Sequence, residues 1–136
     1  FLSDNHFLKA PTAAEGSRYA VAGIAWDGST TNRPGARFGP RQIRQASHML
    51  CDGTHPHFDV SPLGQLGDAG DLPLPNTSLD AMRKAMGPLV APLMRRHHMA
   101  WLGGDHSITL PLLRAYREWL GRPLAAAAKC APLRSR

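Results

Sequence analysis

A three-layer α/β/α fold around a mainly parallel sheet is what this 136-residue sequence predicts. Two short apolar runs, Tyr19 to Ile24 and Met99 to Leu102, read as buried strands. Each is followed by a glycine-bearing loop and then by a helical pattern. That alternation favours parallel strands joined by helices over hairpins. No internal repeat is visible.

In chain order, residues 1–18 are polar and irregular and read as a surface arm. After the first strand, residues 25–38 carry Gly28, Ser29, Asn32, Pro34 and Gly35, which are loop residues. Gly39-Pro40 opens a helix, since proline sits well in a first helical turn, where its missing N–H has no partner to lose. Ile43, Ala46, Ser47 and Leu50 share one side of it and form the expected buried face. Residues 51–62 form a loop, and a weak strand is expected at 63–66, ended by a turn at Gly67-Asp68-Ala69-Gly70-Asp71. Beyond a turn-rich stretch at 73–76, a helix is expected over 78–97, kinked or broken at Pro88 and Pro92. Its Met82, Met86, Leu89 and Leu93 recur at helical spacing and read as core rather than as a cofactor site. The run from Met99 leads to a helix over 107–120, with Ser107 as N-cap and Pro111 in the first turn. Leu110, Leu113 and Leu120, with Ile108 and Trp119 nearby, make its expected apolar side. Pro123 to Ala128 starts like another strand and fails.

Composition bounds the function classes. Hydrophobic residues at 43% and charged residues at 19% fit a globular protein. No apolar run reaches about 18 residues, so no membrane span is expected. Phe1-Leu2-Ser3-Asp4 lacks the basic start and apolar stretch of a signal peptide. The first residue is Phe rather than Met, consistent with a start inside a longer chain. Cys51 and Cys130 allow one disulfide, but two free thiols in a cytoplasmic protein are the expected state. A net charge of +6 raises the question of nucleic acid. The bases are dispersed, however. Arg33, Arg37, Arg41 and Arg44 sit in one loop and helix, Arg95 and Arg96 end another, and Lys129, Arg134 and Arg136 lie in the tail. Without interleaved aromatic residues there is no stacking platform, and nucleic acid is not an expected partner.

His106 is the leading chemical candidate. Leu102-Gly103-Gly104-Asp105-His106-Ser107 places an imidazole at the carboxyl end of a strand, where open α/β sheets keep their sites. Gly103 and Gly104 let the loop pass close to a metal or substrate. Imidazole suits manganese or zinc when carboxylates complete the set. A tight turn with Asp105 and His106 as turn and cap residues explains the same letters. Asp27, Asn32, Arg33 and Arg37 form a second group, for which a solvated loop with Arg37 or Arg41 in salt bridges is the plain alternative. Asp68 and Asp71 read first as turn carboxylates that cap or brace the sheet. His55-Pro56-His57 offers two imidazoles without a third ligand, and His97 and His98 end a helix, where they complement its dipole. Three adjacent residues, Asp105, His106 and Ser107, lack the geometry of a relay triad.

Two blocks together resemble the arginase/agmatinase (ureohydrolase) family, its agmatinase branch most of all. One runs from Gly23-Ile24-Ala25-Trp26-Asp27 through Pro34-Gly35-Ala36-Arg37-Phe38-Gly39-Pro40, with Ala25 where that family has proline. The other is Gly103-Gly104-Asp105-His106-Ser107 with its continuation Thr109-Leu110-Pro111-Leu112-Leu113-Arg114. Asp68 and Asp71 match an Asp-x-Gly-Asp segment of the family. The resemblance spans roughly Tyr19 to Leu124 and implies an arginase-like N-terminal part over 19–125. It implies hydrolysis of a guanidinium C–N bond, agmatine giving putrescine and urea, as in polyamine biosynthesis. Guanidinobutyrate and related amidines are the alternative substrates. It also implies a homo-oligomer and a pair of manganese ions bridged by hydroxide. A guanidinium carbon is a poor electrophile, and metal ions lower the pKa of bound water enough to supply hydroxide at neutral pH. His106 is the implied metal ligand, with Asp105, Gly103 and Gly104 shaping its loop. Asp27, Asn32 and Arg37 are implied at the pocket rim or a subunit contact, with no catalytic role assigned.

The family's later motifs, Asp-Ala-His-x-Asp and Asp-x-Asp-x-x-Asp-Pro, are absent from the sequence. In place of the first, residues 126–136 form a basic tail without carboxylate or histidine, which reads as shifted-frame or truncated coding sequence. A chain with this one metal-ligating histidine is expected to be inactive alone. With later strands missing it is also expected to fold poorly, leaving an unpaired edge and bare apolar faces. A non-catalytic remnant, or a partner that docks onto a longer homologue, is the alternative reading.

Overall fold

A computed structural model describes residues 5–50 and 53–122. Cys51, Cys130, the strand start at 123–128 and the tail at 126–136 lie outside the described residues. The six main elements are β1 (Tyr19–Gly23), α1 (Gly39–Ser47), β2 (Leu66–Asp71), α2 (Leu79–Arg96), β3 (His98–Leu102) and α3 (Thr109–Leu120).

The strands form one parallel sheet in the order β2-β1-β3. Tyr19 aligns with Leu66 on one side and with His98 on the other. Alternation along β1 assigns the two faces. Ile24, Met99 and Trp101 meet α2 and α3 in a core closed by Met82, Met86, Val90 and Met94. Val21, Leu66 and Leu102 meet Leu8 and Ala10 on the opposite face, where α1 also lies. Three layers result, as the sequence predicts. Within the irregular N-terminal segment Leu8 and Ala10 are buried, while Pro11, Thr12, Ala14, Glu15, Gly16 and Arg18 are exposed. Its residues 11–13 run along the outer edge of β2, where the Asp68 N–H donates to the Pro11 carbonyl and the Ala13 N–H to the Asp68 carbonyl.

Four local expectations are corrected. The second strand is not at 63–66 but at Leu66–Asp71, so the expected turn is the strand itself. Its carboxylates are tolerated because one of them, Asp68, has a buried cationic partner on α1. On α1, the inward residues are Pro40, Arg44 and Ser47, whereas Ile43 and Leu50 are exposed. The apolar stripe was the wrong face because a charged pair occupies the buried one. On α3, Ile108, Pro111 and Ala115 face the core, while Leu110, Trp119 and Leu120 are exposed. Finally, α2 runs unbroken through Pro88 and Pro92. Both prolines are exposed, so the carbonyls they leave without N–H partners are on the watered side of the helix. Met82 and Met86 are core as read, but Val90 and Met94, not Leu89 and Leu93, complete the buried row.

Candidate functional site

The carboxyl ends of β1 and β3 carry the Asp27 loop and the Gly-Gly-Asp-His turn side by side. The Ile24 N–H donates to the Leu102 carbonyl at 2.8 Å, extending the strand pairing to the last residue of β3. Beyond it, the Asp105 N–H donates to the Trp26 carbonyl at 2.8 Å. Gly104 lies so close to Trp26 that a Cβ there would stand 1.7 Å from the Trp26 carbonyl oxygen. Absence of a side chain is therefore a condition of this approach.

Asp105 ties the two loops together. Its carboxylate accepts from the Ser29 N–H at 2.9 Å on one oxygen, and from the Ser107 N–H at 2.9 Å and the Ser107 hydroxyl on the other. It caps the short 3-10 turn His106–Ile108 that leads into α3. The cap is thus Asp105, not Ser107, because the helical path begins two residues earlier than the periodic pattern. His106 follows directly and is exposed, with no hydrogen bond to its imidazole among the described residues.

Asp27 is buried and locked. Its carboxylate accepts from the Gly35 N–H at 2.7 Å and the Arg37 N–H at 3.2 Å on one oxygen, and from the Arg37 guanidinium at 2.5 Å on the other. The Arg37 guanidinium holds the carboxyl at about 2, against the opposing effect of burial and with help from the amides of Gly35 and Arg37. This depressed value carries a sign. Folding stability from Asp27 is complete above its unfolded pKa of about 4 and is lost as pH falls toward 2. Arg37→Gln should therefore bring the Asp27 midpoint up toward the usual 3.8, read by carboxyl NMR titration. A midpoint left at about 2 in the variant would refute the pairing.

Asp27, Arg37, Gly103, Gly104, Asp105 and His106 are thus gathered at one end of the sheet. Asn32 lies in the same loop, exposed, without a side-chain hydrogen bond among the described residues. Asp68 and Asp71 form a separate cluster with a residue that sequence reasoning left among dispersed bases, Arg44. Arg44 donates to Asp68 from Nε at 2.7 Å and from Nη2 at 2.9 Å, and to Asp71 from Nη1 at 2.5 Å. Asp68 also accepts from the amides of Phe7 and Gly70, both at 2.8 Å. Burial pushes the Asp68 carboxyl up, but Arg44 and these amides outweigh it and hold it below the usual carboxylate range. An arginine three residues before Ser47 on a helix was the only local signal. Its partners are 24 and 27 residues away.

Two further histidines hold backbone groups. His97 Nδ1 donates to the Ser17 carbonyl at 2.6 Å, and His55 Nδ1 accepts from the amides of His57 and Phe58 inside its own loop. Among the described residues, no group of three or more His, Cys, Asp and Glu is placed to hold a metal ion. His106 is available, but Asp105 and Asp27 are both engaged in other bonds. The described residues alone therefore do not fit a pair of manganese ions.

A sequence model of the arginase family matches residues 17–126. The guanidinopropionase of Pseudomonas aeruginosa is 37% identical over 119 residues, covering 80% of this chain and 36% of its own length. The mitochondrial agmatinase of Gallus gallus is 40% identical over 124 residues, covering 82% of this chain and 33% of its own. Among solved structures, a hypothetical agmatinase from Burkholderia thailandensis superimposes with a TM-score of 0.81 at 30% identity, over 88% of this chain and 40% of that one. The proclavaminate amidino hydrolase of Streptomyces clavuligerus gives 0.74 at 31% identity, over 84% and 39%. The chain spans about a third of the length of the curated relatives it matches.

Proposed function

The chain belongs to the arginase family, and from that premise we propose that it carries part of the site of a ureohydrolase acting on a linear guanidino compound. The observation that carries the proposal is His106, exposed at the carboxyl end of β3 within the matched region, on a turn fixed by Asp105. Agmatine is the favoured substrate, with putrescine and urea as products. The similarity to a guanidinopropionase favours a guanidino acid as the second reading.

In this reading His106 would hold one manganese ion, and the chemistry such an ion would supply when bound is activation of water at neutral pH. The other ligands that the resemblance implies are not in this sequence. The chain's own contribution is then positional. Asp105 sets the turn that presents His106, and the Asp27–Arg37 pair holds the neighbouring loop at the rim. A homo-oligomer and a cytoplasmic location belong to the same proposal. Cross-linking of the cell extract and cell fractionation test them, with a mitochondrial location as the alternative that the chicken relative's name raises.

Two measurements test the reading. Manganese added to the full chain should broaden the His106 imidazole NMR signals ahead of those of the other histidines. Broadening centred on His55 and His57 would overturn the ligand assignment. With manganese and agmatine, the chain alone should release no urea above a blank, and clear release would refute the incomplete site. The coding DNA beyond the Gly121 codon discriminates further. An Asp-Ala-His-x-Asp motif in any frame supports a ureohydrolase, and its absence from every frame overturns catalysis in favour of a docking role.

A further inference from the structure

A hollow of about 220 Å³ lies between α2 and α3, lined by Arg83, Lys84, Gly87, Pro111, Arg114 and Glu118. Its charge is unbalanced. Arg83, Lys84 and Arg114 bring three cations against the single carboxylate of Glu118. Arg114 and Glu118 have the four-residue spacing of a helical ion pair. The ion pairs among the described residues are nevertheless made elsewhere, by Arg37 and Arg44, and Glu118 neutralises none of its three neighbours. The Nε of Arg83 is shut off from solvent and has no hydrogen-bond partner. Such a donor is unfavourable until an acceptor is supplied. The space beside Gly87 is open, since a Cβ there would meet no atom within 4 Å.

We propose that this hollow binds a compact oxyanion of the phosphate class, held by Arg83, Lys84 and Arg114. Two guanidinium forks and one ammonium match a tetrahedral group with more than one negative charge. An oxygen seated in the hollow draws the Arg83 guanidinium toward itself and supplies the acceptor that it lacks. The site uses no residue of the Asp27–Asp105–His106 cluster, so it stands or falls independently of the ureohydrolase reading.

The test is an amide NMR titration of the full 136-residue chain with inorganic phosphate, at ionic strength held constant with sodium chloride. Saturable shifts confined to α2 and α3 are expected. Arg114→Gln should weaken binding by about tenfold, as should Gly87→Glu, which fills the hollow with a carboxylate. Gly87→Ala and Arg95→Gln should leave it unchanged. Equilibrium dialysis with labelled phosphate on the same variants reads the answer should the spectrum lack dispersion. Competition by a small phosphomonoester at the same residues assigns a metabolite's phosphate, and its failure assigns free phosphate. Three results overturn the proposal: chloride acting as well as phosphate, saturable binding that survives both Arg114→Gln and Gly87→Glu, and an oligonucleotide binding these residues when phosphate does not.

Discussion

Arg44→Met is expected to remove about 3–5 kcal/mol of folding stability. Arg44 is buried on α1's inner face, and among the described residues it is the only side chain that neutralises Asp68, whose own side chain is fully shielded. Removing the guanidinium leaves a buried carboxylate held by two backbone amides alone. Total stability of a small domain is about 5–15 kcal/mol, so the loss is a large share of it. The cause is the stranded charge, not a large net gain from the pair, because desolvation offsets most of the attraction. Asp68→Asn should be milder: it strands no buried anion and Arg44 keeps Asp71, although the single carboxamide oxygen can accept from only one of the Phe7 and Gly70 amides. Urea unfolding followed by tryptophan fluorescence compares the two. A loss under about 1 kcal/mol for Arg44→Met would place the pair in solvent-like surroundings and refute its burial.

Gly104→Ala is the second large effect, with about 3 kcal/mol or more expected. The added methyl would meet the Trp26 carbonyl oxygen at 1.7 Å, its carbon at 2.7 Å and its nitrogen at 2.8 Å. All three are backbone atoms, which cannot swing aside as a side chain does. The Gly104 and Trp26 segments must separate, breaking the bond from the Asp105 N–H to the Trp26 carbonyl and loosening the turn that presents His106. Gly103→Ala offers the internal comparison. Its methyl meets only the tip of Ile108, at 2.8 Å, so a rotamer change relieves it and a cost of about 1 kcal/mol is expected. Equal unfolding midpoints for the two variants would show that the close approach to Trp26 is not real.

Local signals explain what the sequence made legible. β1 and β3 are apolar runs, and α2 and α3 repeat at helical spacing, so element type followed from periodicity. The Gly-Gly-Asp-His turn was legible for the same reason, lying directly after an apolar strand. β2 was not, because Leu66-Gly67-Asp68-Ala69-Gly70-Asp71 has the composition of a turn. What makes it a strand is remote, namely pairing with β1 and the Arg44 guanidinium arriving from α1. The inverted faces of α1 and α3 share that origin. Periodicity finds an apolar stripe but not which stripe is covered, and on α1 the covered positions hold a charged network. In the site, Arg37 was legible as a salt-bridge candidate because Asp27 is ten residues away. Arg44 was hidden by distance.

The two sides of the sheet end differently. On the β2 side, residues 11–13 already satisfy the outward-facing groups of Asp68. On the β3 side, the strand order places His98–Leu102 last, with no further strand among the described residues. Among the described residues the β3 edge is the open one, and the β2 edge is covered at Asp68. A further β-strand, from the same polypeptide or from another molecule at high concentration, is therefore expected to pair at β3 first.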